Sequence, residues 1–385
     1  MKIIHTSDWH LGQDFYHYDR AEEHEFFFDQ LCELVEKEQP DALLVSGDIY
    51  HTATPSNASM KLYTRNMVRI HECCPTMAII VTAGNHDSCS RLESTDEVWR
   101  LANVTVIGGV ERDGEDYDLE RHIIEIKDKG FVIAVPFINN KFNDVFLKLQ
   151  NVVNERNVNN LPVVMMAHMA VCGCDFQGHD VSRLIGGSEM VDLKTLGDGY
   201  DYLALGHIHR PQTLENAKAR YSGSAIHVSF DEAFPHTVSI VKIASHGVKP
   251  DVKEHGINQK MHLYSIPSES KPFDEVIQYL KDKAPKGPGY VRLMVKGGMP
   301  GNNLVQIQSV MNDLPHLKFC YVKLEREQSV AQGERRRIDV DKMKEINPLE
   351  LAKIYYQSRF GNEMSQEKEK MLTEAINSLN EMKRQ

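Results

Sequence analysis

The sequence predicts an α/β fold: two sheets packed as a sandwich and flanked by helices, with a small α+β domain and C-terminal helices appended. Three observations predict it. Short apolar runs alternate with amphipathic stretches from Lys2 through to Ile243. The first of these runs are continuously apolar, as strands covered on both faces must be. A second series of strand-like runs then follows with few helices between them, which a second sheet packed on the first accommodates.

The elements follow in order. Lys2–Ser7 opens the chain as a strand. Apolar residues at helical spacing (Phe26, Phe27, Leu31, Leu34, Val35) predict a helix over Arg20–Gln39, stopped by Pro40. Asp41–Ser46 is a continuous apolar strand, Ser56 caps a helix running to about His71, and Met77–Thr82 is a third strand. Arg121–Ile126, Phe131–Pro136, Val163–Ala167, Tyr202–Leu205, Ala219–Ser222 and Thr237–Ile243 supply the second series.

Residues 246–260 are polar and turn-rich and read as a boundary. Beyond it, Met261–Ile266, Phe273–Lys281, Tyr290–Lys296, Leu304–Leu314 and Leu317–Leu324 alternate strand and helix in a unit compact enough to be a domain. Residues 326–345, with Arg335, Arg336 and Arg337, read as a charged linker. Asn347-Pro348-Leu349-Glu350 sets an N-cap, a first-turn proline and an acidic third position, starting a helix that ends near Phe360-Gly361. Ser365 caps a last helix, on which Met371, Leu372, Ala375, Ile376, Leu379 and Met382 form an apolar stripe. The expected domains are 1–258, 259–326, a linker at 327–345, and helices over 346–385.

Composition excludes several classes. The chain has 385 residues, 41% of them hydrophobic and 26% charged, which is ordinary for a folded protein. No apolar run approaches the ~20 residues that span a bilayer, and the N-terminus lacks a signal-peptide pattern, so the expectation is a cytoplasmic protein without a membrane segment. Seven cysteines, an odd number with no Cys-x-x-Cys, argue against a disulfide framework and fit a reducing compartment. Cys172-Gly-Cys174 is a poor zinc half-site because no second pair lies near it in sequence. A net charge of −11 argues against a free-standing nucleic-acid binder. Bound divalent cations or a basic partner subunit would soften that objection.

Five short motifs each follow a predicted strand: Asp8-Trp9-His10, Gly47-Asp48, Gly84-Asn85-His86-Asp87, Ala167-His168 and Gly206-His207-Ile208-His209. Strand ends are where sites assemble in α/β sheets. Carboxylates, imidazoles and an amide oxygen suit borderline divalent metals such as manganese, iron or zinc. The glycines before Asp48, Asn85 and His207 are expected to allow sharp turns that aim the next side chain into a cleft. Taken singly, Gly47-Asp48 is turn chemistry and His168 is an ordinary histidine. The order and the placement after strands are what point to a metal site.

On these residues the chain resembles the calcineurin-like metallophosphoesterase superfamily, whose pattern Asp-x-His, Gly-Asp, Gly-Asn-His-Asp, His, Gly-His-x-His is matched in full. Ser7-Asp8-Trp9-His10-Leu11-Gly12, Gly47-Asp48-Ile49, Gly84-Asn85-His86-Asp87-Ser88 and Leu205-Gly206-His207-Ile208-His209 look more narrowly like the SbcD family of exonuclease subunits, the bacterial counterpart of the double-strand-break repair nuclease. The resemblance covers the whole chain and implies a two-sheet metallophosphoesterase sandwich with a capping domain. It implies two divalent ions, with manganese the expected metal. Asp8, His10 and His209 would hold the first and Asn85, His168 and His207 the second, with Asp48 bridging. His86, not a ligand, would sit beside the scissile phosphate and act on the leaving oxygen. Asp87 would orient His86 or cap the helix after it.

The resemblance further implies DNA exo- and endonuclease activity, a homodimer formed through helices of the catalytic domain, and docking of the C-terminal helices on an SMC-type ATPase of the SbcC kind. Asn347–Leu351 resembles the docking segment. Arg20–Gln39, with Phe26-Phe27-Phe28, could contribute to the dimer, though core packing explains three aromatics equally well. His51 could line the cleft. His5, His71, His122 and His179 read as surface or satisfied core residues, and Arg183, Arg210 and Arg220 as exposed arginines or phosphate contacts. Two competing readings stay open: a phosphodiesterase or phosphatase for small molecules or proteins, and a scaffold subunit without catalysis.

Overall fold

The computed structural model describes residues 1–113, 116–138, 144–177, 190–214 and 217–325, together with Ser365 and residues 368–370. The chain divides into Met1–Arg326 and Glu327–Gln385. In the second unit Ser365 and one helical turn at 368–370 are described, the amide of Glu369 donating to the carbonyl of Ser365 at 3.0 Å. The predicted linker and the helices over 346–364 and 371–385, as well as Arg183 and His179, lie outside the described residues.

The predicted sandwich is present. One sheet runs in the order Asp251–Gly256, Thr237–Lys242, Lys2–Thr6, Ala42–Ser46, Ala78–Thr82, Val104–Ile107, with its last four strands mutually parallel. The other runs Gln212–Thr213, Ala219–Tyr221, Tyr202–Gly206, Val163–His168, Gly130–Ala134, Ile123–Ile126. Between them lies a buried apolar layer formed by Ile3, Leu44, Ile80, Val132, Val164, Met166, Ala204 and Val241. The opposite face of the first sheet packs under the helices Ala21–Glu38 and Asn57–Cys73, and that of the second under Val145–Arg156. Strands covered on both faces explain the unbroken apolar runs. Each such side chain contributes about 1.5–3 kcal/mol by burial. Phe27 and Phe28 are fully buried against Trp9, with ring centroids 6.1 and 5.0 Å away, so the core accounts for two of the three aromatics at 26–28.

The structure departs from the sequence reading at several elements, among them three in or against the sandwich sheets and four or more residues long. Asp251–Gly256, read as part of a polar boundary, is an edge strand paired antiparallel with Thr237–Lys242. Its backbone pairing, the packing of Val252 on the inter-sheet layer and an ion pair of Glu254 with Arg220 hold it in the sheet, and its mostly exposed side chains carry no apolar alternation. Val104–Ile107 is the opposite edge strand, too short to stand out. Val145–Arg156 is a helix that the pattern did not single out.

The region after Gly256 is a three-stranded parallel sheet, with Gly289–Lys296 between His262–Lys271 and Leu317–Glu325. The helices Phe273–Lys283 and Asn303–Asn312 close its core around Phe273, Leu280, Leu293 and Ile307. It meets the sandwich through buried chemistry. The Tyr290 hydroxyl donates to Oε1 of Glu23 at 2.6 Å, Glu23 pairs with the buried Arg20, and Phe15, Phe230 and Tyr290 cluster beside them.

Candidate metal centre

All eight residues that the motifs single out lie where strands end. Asp8 and His10 follow Lys2–Thr6, Asp48 follows Ala42–Ser46, Asn85 and His86 follow Ala78–Thr82, His168 ends Val163–His168, and His207 and His209 follow Tyr202–Gly206. These strands are parallel within each sheet, so their C-terminal ends open on one edge of the sandwich.

The backbone there is held in sparsely populated conformations. Asp8, His10, Asp48 and His207 have φ of 52°, 47°, 53° and 98°. Non-glycine residues in this region cost about 1–3 kcal/mol each and persist where surroundings impose them. The glycine at 47 is in the same region at φ 83°, as the expected turn requires. Gly84 is needed instead for close approach: a Cβ there would stand 2.1 Å from Oδ1 of Asp48.

The side chains converge in two groups with Asp48 between them. Nε2 of His10 lies 3.2 Å from Nε2 of His209, and one donor atom from each of Asp8, His10 and His209 falls within 4.8 Å of the others. On the other side, Oδ1 of Asn85 is 3.1 Å from Nε2 of His168 and 3.0 Å from Nδ1 of His207. Asp48 turns one oxygen to each group. Its Oδ2 is 3.7 Å from Nε2 of His10, and its Oδ1 is 3.5 Å from Nε2 of His168. His86 stands at the open side. Its amide donates to Oδ1 of Asp48 at 2.9 Å, and its Nε2 is 4.0 Å from Oδ2.

Three rings are anchored through Nδ1. His168 donates to the carbonyl of Ser46 at 2.8 Å and His86 to that of His51 at 2.8 Å, while Nδ1 of His209 is 2.9 Å from Oε1 of Glu232. Each anchor leaves Nε2 facing the centre, the arrangement metal-ligating histidines adopt. Asp8 is fixed by Ser7, whose hydroxyl donates at 2.6 Å, and by the His207 amide. Buried donors of this N/O type fit borderline divalent cations. The electrostatics fit as well. Burial pushes the Asp8 carboxyl up and His10 well below the usual imidazole value. Burial also opposes charge on Asp48 and His168. Their mutual attraction wins, holding Asp48 well below the carboxylate range and His168 up at about 9. A cation placed between them would replace the imidazolium as partner of Asp48.

Sequence reasoning missed several supports. Glu232 is buried behind His209 and belongs to no motif. Asp87 neither orients His86 nor caps the helix Cys89–Glu93. Its Oδ2 accepts the amides of Ile49 and Gly84 at 3.0 and 2.8 Å, and its Oδ1 that of Tyr50 at 2.9 Å. It therefore ties the loop of Asp48 to the loop of Asn85. His51 does reach the centre, its ring 5.5 Å from that of His10. Arg220 is not an exposed arginine. It is buried on Ser239 and Thr213. Arg210 pairs with Asp175 and Gln177.

The calcineurin-like phosphoesterase family matches residues 1–211 of this chain. Among curated relatives, the SbcD subunit of the SbcCD nuclease of Rhodobacter capsulatus is 32% identical over 270 residues, covering 63% of this chain and 67% of that protein. The same subunit of the Escherichia coli K12 nuclease is 30% identical over 251 residues, covering 60% and 62%. That of Bacillus subtilis 168 is 29% identical over 266 residues, covering 63% and 66%. The chain thus spans about two thirds or less of the length of the curated relatives it matches.

Proposed function

This chain belongs to the calcineurin-like phosphoesterase family, with SbcD nuclease subunits among its relatives, and from that premise we propose that it is a metal-dependent nuclease. It hydrolyses phosphodiester bonds in DNA at the Asp48 centre. Asp48 carries the reading: one carboxylate presents its two oxygens to two separate histidine groups, as a bridge between two cations requires.

In this reading Asp8, His10 and His209 would hold one cation and Asn85, His168 and His207 the other, with Asp48 shared between them, and the ions would be manganese. When bound, two divalent cations supply Lewis acidity toward the phosphodiester and toward water. The chain's own residues do the rest. Ser46, Ser7 and Glu232 fix the ring and carboxylate orientations. The carbonyl of His51 holds the Nδ1 proton of His86, so Nε2 is the atom left facing the site to exchange a proton with the leaving oxygen. The small sheet over 262–325 caps the site, and the segment 346–385 binds an SMC-type ATPase. That ATPase supplies the DNA-holding surface that a chain of net charge −11 lacks. The relatives' description as subunits of a two-component nuclease supports that partner. The active form is a homodimer.

The test sets linear duplex DNA against bis-p-nitrophenyl phosphate with Mn2+. Wild type should cut both. His86→Gln should lose about 10²–10⁴-fold in kcat on DNA while still binding two Mn2+ per chain. Hydrolysis of the small ester alone, in the presence of the ATPase, would sink DNA as the substrate. Full activity of His86→Gln would remove His86 from the mechanism.

A further inference from the structure

We propose that His227, Glu232 and His236 form a further cation site, suited to Zn2+, on the far side of His209 from the Asp48 centre. One nitrogen from each imidazole and one carboxylate oxygen lie within 4.8 Å of one another. The three residues sit on the segment between the strands Ala219–Tyr221 and Thr237–Lys242.

Proton bookkeeping around His236 favours a ligand. Its Nδ1 lies 2.9 Å from the carbonyl of Ser224, which only accepts, so Nδ1 carries the hydrogen and Nε2 holds a lone pair. That Nε2 is 2.8 Å from Nδ1 of His227 and 3.7 Å from Oε2 of Glu232. The two rings stand perpendicular, centroids 4.4 Å apart. A backbone-anchored Nδ1 with Nε2 aimed at a second imidazole and a carboxylate repeats the pattern of the main centre. A tetrahedral ion at about 2.0–2.2 Å from each donor needs donors about 3.3–3.5 Å apart, so the nitrogen pair must open and the nitrogen–oxygen pair close by a few tenths of an ångström, which small ring rotations supply. Two neutral imidazoles and a carboxylate are a donor set that zinc accepts.

The site is reachable. His227 and Glu232 line a cleft of about 450 Å³ between the sandwich and the capping sheet, with Phe234, His262 and Tyr264 on its walls. The cleft offers an entry path and room for a water or His262 as a fourth ligand. The site also connects to the main centre. Oε2 of Glu232 accepts the Val228 amide at 2.8 Å, while Oε1 supports His209. A cation on Oε2 withdraws charge from that support, so occupancy weakens hydrolysis.

The simpler alternative is an N–H···N hydrogen bond between His227 and His236. Zn2+ bound per full-length chain, counted by atomic emission after gel filtration, decides between them. His227→Gln and His236→Asn should each bind one Zn2+ fewer than wild type, and a Co2+-loaded wild type should lose one tetrahedral visible spectrum in the same variants. Equal counts in wild type and a folded His227→Gln would overturn the site. His227 lines the cleft, so that variant carries the test if His236→Asn does not fold. A second readout, resting on the phosphodiesterase reading, is Zn2+ inhibition of the Mn2+-loaded chain, which His227→Gln should weaken at least threefold. The count does not depend on activity, so failure of the site and failure of that reading are distinguishable.

Discussion

Replacing Asp87 tests whether the loops at the centre are tied together as the hydrogen bonds indicate. The carboxylate is buried and accepts three backbone amides, those of Ile49, Tyr50 and Gly84, at 2.8–3.0 Å. Burial and the neighbouring Asp48 push its pKa up to about 7, against the pull of those donors. Asp87→Ala strands three buried amides, each costing about 1–3 kcal/mol, and the loss of a buried charge returns part of that. A net cost of about 4 kcal/mol follows. Asp87→Asn keeps a carbonyl for Ile49 and Gly84 but turns an NH2 toward the Tyr50 amide, costing about 2 kcal/mol by the same reasoning. For a core of this size about 2 °C of melting temperature corresponds to 1 kcal/mol, so calorimetry of the metal-free chain should show drops of about 8 and 4 °C. Displacing Asp48 and the His86 amide by a fraction of an ångström should also lower phosphodiester hydrolysis about 10²-fold in Asp87→Ala. A melting temperature for Asp87→Ala within 1 °C of wild type would refute the clamp.

Two further outcomes are expected. His5 and His24 are buried and neutral, burial holding them at about 3 and about 4. The unfolded chain protonates both near pH 6.5 and the folded chain does not, so stability present above 6.5 is lost as pH falls toward those values. Between pH 8 and pH 5 each should cost about 2 kcal/mol, read as a lower urea midpoint, and an unchanged midpoint contradicts their burial. Saturating Mn2+ at a hundredfold over its dissociation constant should stabilise the chain by about 2.7 kcal/mol per site relative to EDTA-treated protein, and coincident melts would exclude a metal centre.

Much of this molecule was legible in its sequence. The motif residues stand after strands, and strand ends are a local property, so Asp8, His10, Asp48, Asn85, His86, His168, His207 and His209 could be picked out together from their order and placement, though not singly. Apolar runs likewise revealed the strands of the sandwich, because a strand covered on both faces has no choice but to be apolar. Tertiary structure decided what depends on partners distant in sequence. Asp251–Gly256 is a strand only because Thr237–Lys242 offers an edge to pair with. Glu232 matters because folding buries it behind His209, and Asp87 because three amides from two loops meet its oxygens. Hydrogen bonds and burial join residues far apart in the chain, and no local pattern records them. The motifs therefore named side chains that the fold brings together, while the fold alone supplied the atoms that hold them in place.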